Sequence, residues 1–125
     1  MKTEHFIGNY KLGFKYVRLF VQTDSASGSV RLMPDDKGSQ KINVGIDSPW
    51  ATSLGTLLHE LYEATLIDLS TRYELQPSLS NESSDFMFFM THNQLGEAHD
   101  RVALFLKSAL PDFSKAYKKY STYED

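Results

Sequence analysis

The chain contains no cysteine. That single absence excludes disulfides, thiol nucleophiles and thiolate metal sites together, so any bound metal must be held by histidine, aspartate or glutamate. It also fits a reducing compartment. Long apolar runs are missing too: none approaches the roughly 20 residues needed to cross a bilayer, and no membrane partner is expected. Met1 to Tyr10 is polar and lacks the apolar core of a secretory leader. Both features point to a cytoplasmic protein. Basic residues are not in excess, with 13 Lys and Arg against 16 Asp and Glu for a formal net charge of −3. Nucleic-acid binders are usually basic, so nucleic acid is not the expected partner. A Gly-rich phosphate loop and a G-x-S-x-G elbow are both absent, which leaves nucleotide-driven chemistry and serine hydrolysis without support.

What is present suits one globular domain over residues 1–125. The composition is 41% hydrophobic, 13% aromatic and 23% charged, and a chain of this length buries about two thirds of its extended surface without covalent staples. Residues 1–47 are β-rich. Tyr16 to Gln22 is rich in β-branched and aromatic residues, Ser29 to Met33 alternates polar and apolar, and Ile42, Val44 and Ile46 share one face of a third strand. Thr23–Gly28 and Pro34–Gly38 are turn formers, and an earlier short strand near Phe6 to Leu12 is a further candidate. Short connections between consecutive strands predict an antiparallel meander.

At Asp47-Ser48-Pro49 the period changes from two to 3.6. Ser48 reads as an N-cap and Pro49 as a first-turn residue. Leu54, Leu57, Leu58, Leu61 and Ala64 form the apolar stripe of a helix over about 48–73, with Trp50 anchoring it to the sheet. Residues 77–85 read as a polar loop able to flank a cleft, and Phe86 to Met90 as a short buried strand. C-terminal helices follow over 93–120, capped by Asn93, striped by Leu95, Ala98, Val102, Phe105, Leu106 and Ala109, and interrupted at Pro111. Gly55 and Gly96 are candidates for close helix packing, and the Lys- and Tyr-rich tail after Lys115 for a frayed terminus. The predicted fold class is α+β: a small antiparallel sheet of three to four strands packed against two long helices.

The chemistry-bearing segment is Leu57-Leu58-His59-Glu60-Leu61-Tyr62-Glu63. Residues four apart share a helix face, so His59 and Glu63 can aim ligand atoms at one point. Imidazole nitrogen with carboxylate oxygen suits zinc, and also iron or manganese. Glu60 points in a neighbouring direction, as a base for a bound water would. Three of the four histidines fall in two segments expected to pack together, since His92 and His99 stand at the start of the last helix. His99 borders the stripe of Leu95 and Val102 and reads as inward, with Tyr62 or Asp100 for company, and Glu97 and Asp100 are reserve ligands.

The segment Thr56-Leu57-Leu58-His59-Glu60-Leu61 resembles the active-site helix of small zincin-type metallopeptidases, including compact phage and bacterial members with a strand before the helix. Those families use H-E-x-x-H, with two histidine ligands and the glutamate as general base; here Glu63 stands where the second histidine would be. The resemblance implies His59 as a zinc ligand, Glu60 as base and a later helix residue, His99 or His92, as a further ligand. The expected function is thus a small metal-binding protein of zincin-like organisation, either a metal-dependent hydrolase or an inactive relative. The alternative is a non-catalytic phage or mobile-element module binding a host protein or peptide, with the histidines serving as core or capping residues.

Overall fold

A computed structural model describes residues 3–31, 40–74 and 86–123. The elements run β1 (Glu4–Leu12), β2 (Lys15–Gln22), β3 (Gly28–Arg31), β4 (Gln40–Gly45), α1 (Trp50–Asp68), β5 (Arg72–Glu74), β6 (Phe86–Phe88) and α2 (His92–Tyr120). The class is α+β, with four strands in one sheet against two long helices. The polar loop expected over 77–85 lies outside the described residues.

β1 and β2 form a hairpin around Gly13, whose φ of +66° is a conformation that glycine adopts without strain. The order of the sheet is β1-β2-β4-β3, and this corrects the expected meander. β3 does not pair with β2. It forms the far edge, antiparallel to β4, while β4 inserts between them and runs parallel to β2. The reason lies in burial. Val17, Leu19, Val21, Ile42 and Val44 are all fully buried, and placing β4 beside β2 puts their side chains in one continuous apolar surface. β3 is the shorter strand and takes the edge.

Both helices cover that surface, and Leu57, Leu61 and Ala64 of α1 meet Val102, Phe105, Ala109 and Phe113 of α2 and the sheet in one core. Burial of such side chains contributes about 1.5–3 kcal/mol each. Leu54, Leu58 and Leu106 pack at its margin, whereas Leu95 is exposed. Trp50 packs against the shared core and ties α1 to α2, its ring lying 5.6 Å from Phe113 and 5.2 Å from Tyr117.

The ends of the helices differ from the sequence expectation. Pro49 occupies the N-cap of α1, and the Ser48 hydroxyl pairs instead with that of Ser53, 2.7 Å away. α1 stops at Asp68 rather than near Tyr73, because Ser70 turns left-handed at φ 60°. The N–H groups of Ser70 and Thr71 then close onto the Ile67 and Leu66 carbonyls, a Schellman ending. α2 is capped by Thr91, not Asn93: the Thr91 hydroxyl accepts from the Gln94 N–H and the Gln94 side chain accepts from the Thr91 N–H. Pro111 does not interrupt α2, which is continuous for 29 residues. The tail is tied down rather than frayed. Ser121 donates to the Ile46 carbonyl and Thr122 donates twice to the Asp47 carboxylate.

Of the segment expected as a buried strand, Phe86–Phe88 pairs with β5, but Met87 and Phe89 are exposed. Gly55 and Gly96 do not mediate helix contact: a Cβ at either position would meet nothing within 4 Å.

Candidate metal-binding site

The site is built on one turn of α1. Because the apolar stripe of α1 faces the core, the next positions round the helix fall at its shoulder above β3 and β4. His59 and Glu63, one turn apart, lie there with His59 Nε2 3.1 Å from Glu63 Oε2. The His59 side chain is 70% exposed and that of Glu63 26%. Glu60 is turned towards the sheet and is only 6% exposed. Gly28, at the start of β3, makes this approach possible. A Cβ there would come within 2.7 Å of Thr56 Cγ2 and 3.1 Å of Glu60 Cγ.

Among the described residues, no hydrogen bond or ion pair meets the Glu60 carboxylate. Its pKa is raised, first by burial and then by the Glu63 charge, with the His59 ring acting in the opposite sense. One ligand atom from each of His59, Glu60 and Glu63 lies within 4.8 Å of the other two. One nitrogen and two carboxylates are thus focused on one point, with solvent on the His59 side.

The later histidines do not join this group. His92 is the first residue of α2 and is exposed. His99 is exposed rather than inward. Its Nδ1 is 2.6 Å from the Tyr62 hydroxyl, and the two rings meet edge-on at 5.5 Å. That bond joins α1 to α2, and Tyr62 is one of the two companions expected for His99. Of the reserve ligands, Glu97 accepts from Arg101 Nε at 2.9 Å, and Asp100 is exposed. The fourth histidine, His5, stacks on Tyr120 at 3.7 Å.

Two features of the site were not foreseen from sequence. One is the burial of Glu60, whose only sequence signal is its place beside the Leu57–Leu61 stripe. The other is the role of Gly28, which reads simply as a turn residue. A separate cavity of about 280 Å³ opens between the β1–β2 turn and α2, lined by Tyr10, Gly13, Arg101, Leu104 and Phe105, and shares no residue with the group on α1. Comparison of the chain with protein families, with curated proteins and with solved structures finds no match, so its functional reading rests on its own geometry.

Proposed function

We propose that this chain is a small metal-binding protein whose ion sits at the shoulder of α1. The observation that supports this reading is the convergence of His59, Glu60 and Glu63 ligand atoms within 4.8 Å. Two ligands bound to one ion at about 2.1 Å stand about 3–3.5 Å apart when the angle between them lies between square and tetrahedral. The 3.1 Å between His59 and Glu63 is in that range. The donor set suits zinc, and also iron or manganese. Three protein ligands at most leave positions open to solvent, as at catalytic rather than structural sites.

The hydrolase reading goes one step further. A metal at this point would supply a polarised water, and the Glu60 carboxylate, within 4.8 Å of the His59 and Glu63 ligand atoms, stands close enough to take up its proton. Glu60 is then the base, with His59 and Glu63 as ligands. Glu60→Gln separates the two roles of that side chain: metal content survives the change if Glu60 is the base, and falls if it is a ligand.

The test is metal content by plasma mass spectrometry on untagged protein beside His59→Ala. Near-stoichiometric metal in the parent and none in the variant supports the site. No metal in either, even after incubation with zinc, means that His59 and Glu63 are only a side-chain pair on the helix surface, worth about 0.2–0.5 kcal/mol. The interaction-module reading then takes its place. One observation favours that second reading: Tyr73 and Phe89, 53% and 58% exposed, meet edge-on beside exposed Met87 on the β5–β6 hairpin. Exposed apolar clusters of this kind mark contact surfaces.

A further inference from the structure

Among the described residues, the helices cover one face of the four-stranded sheet and leave the other open. Pairing across the strands puts Phe6 beside Phe20, Lys11 beside Tyr16, and Arg18 beside Lys41, and directly paired residues share a face. These six side chains belong to the open face, since their neighbours Tyr10, Val17, Leu19, Val21 and Ile42 are buried on the other. Along β2, ring and cation alternate as Tyr16, Arg18 and Phe20. Tyr16 is 61% and Phe6 55% exposed.

The rings and cations are in contact. Phe6 and Phe20 lie 5.3 Å apart, with Lys41 Nζ 4.5 Å and the Arg18 guanidinium 5.5 Å from the Phe20 ring. Charge is segregated as well. The chain carries a formal −3, yet the described ionisable side chains of this face are Lys11, Arg18, Lys41 and a single carboxylate, Glu4, paired with Lys41. Among the described residues, a net acidic chain therefore presents a locally basic, aromatic sheet.

We propose that this open face is a platform for single-stranded nucleic acid. Exposed rings offer flat apolar surfaces on which unpaired bases stack, and the interleaved cations meet the phosphates between them. Phe6 is paired with Phe20, four residues along β2 from Tyr16, so the two exposed rings, Phe6 and Tyr16, stand about 13 Å apart along the strands and engage different bases of one strand rather than a single base. An acidic peptide would satisfy the cations but leave the rings without a stacking partner, and a duplex holds its bases stacked on each other and out of reach. The platform uses no residue of the α1 group and stands or falls independently of metal binding.

Fluorescence anisotropy with a labelled oligothymidine of about 12 nucleotides, a length one such platform can cover, tests this on the full chain. Saturable binding that weakens as salt rises is expected, with weaker binding to a duplex of the same length. Phe6→Ala and Tyr16→Ala should each weaken binding about tenfold. Lys11→Gln and Arg18→Gln should weaken it and flatten its salt dependence, while Lys107→Gln, an exposed cation on α2, should leave it unchanged. Unchanged thermal midpoints show that the ring variants still fold. The proposal is overturned by no binding at low salt, by equal binding of the ring variants, or by duplex or polyglutamate binding as well as the oligothymidine.

Discussion

Replacing Gly55 and Gly96 by alanine should stabilise the protein, and the magnitude follows from their surroundings. Each lies inside a helix, α1 or α2, and a Cβ at either position reaches no atom within 4 Å. Steric loss is therefore absent, and the helix-propensity difference of about 0.8–1.0 kcal/mol per site applies in full, chiefly through lost freedom of the unfolded chain. The two sites are on different helices and share no partner, so their effects should add to about 2 kcal/mol. With an unfolding entropy of about 2.1 cal/mol/K per residue, a 125-residue chain gains about 4 °C in midpoint for each kcal/mol. Each single variant should thus melt about 4 °C higher and the double variant about 8 °C higher, followed by circular dichroism at 222 nm. Urea melts should show a higher midpoint at unchanged slope. Destabilisation by either change would refute the reasoning, because it would mean that the glycine is needed for a close helix contact.

Glu60→Gln should stabilise the fold at neutral pH. A carboxyl whose pKa is raised on folding loses stability as pH rises through that raised value, so the gain should vanish in melts run below the ordinary value of 4.5. Tyr10→Phe should cost about 1–2 kcal/mol in urea melts by leaving the Asp112 carboxylate without the 2.6 Å hydrogen bond it accepts. The Tyr10 pKa is raised by burial and by Asp112. The parent should accordingly lose stability above about pH 10, where the unfolded phenol ionises, and the variant should lose less. Thr91→Ala should cost about 1 kcal/mol by removing the cap of α2; Asn93→Ala should cost little, and the reverse order would restore Asn93 as the cap.

Much of the fold was legible in the residues. The period-two strands at Tyr16–Gln22 and Lys41–Ile46 and the period-3.6 stripes of α1 and α2 are local patterns, and each element formed where its pattern lies. The ends were harder, because a cap is chosen by which hydroxyl reaches which N–H: Thr91 has Gln94 three residues on and closes a reciprocal box, while Ser48 is drawn off by Ser53. Pro111 on its own predicts an interruption, yet its neighbours Ala109 and Phe113 are fully buried on one continuous helix, and that packing outweighs the missing N–H.

For the candidate site, spacing alone placed His59, Glu60 and Glu63 on one helix turn, since four residues return to the same face whatever lies around them. The partners of His92 and His99 were beyond its reach. Whether His99 meets the α1 group or the Tyr62 hydroxyl depends on how α2 is rotated against α1, which the whole core sets. The burial of Glu60 likewise depends on β3 approaching through Gly28. Sequence by itself determined the types of β2, β4, α1 and α2, the absence of thiol chemistry and the one-turn spacing of His59 and Glu63, because these are properties of neighbours along the chain; the short strand β5 formed where the helix was expected to continue. Tertiary structure alone decided that β4 lies between β2 and β3, and with it that Phe20, Arg18 and Lys41 become neighbours on an open face. Strand order is a contest between distant apolar surfaces for one core, and no local pattern carries its outcome.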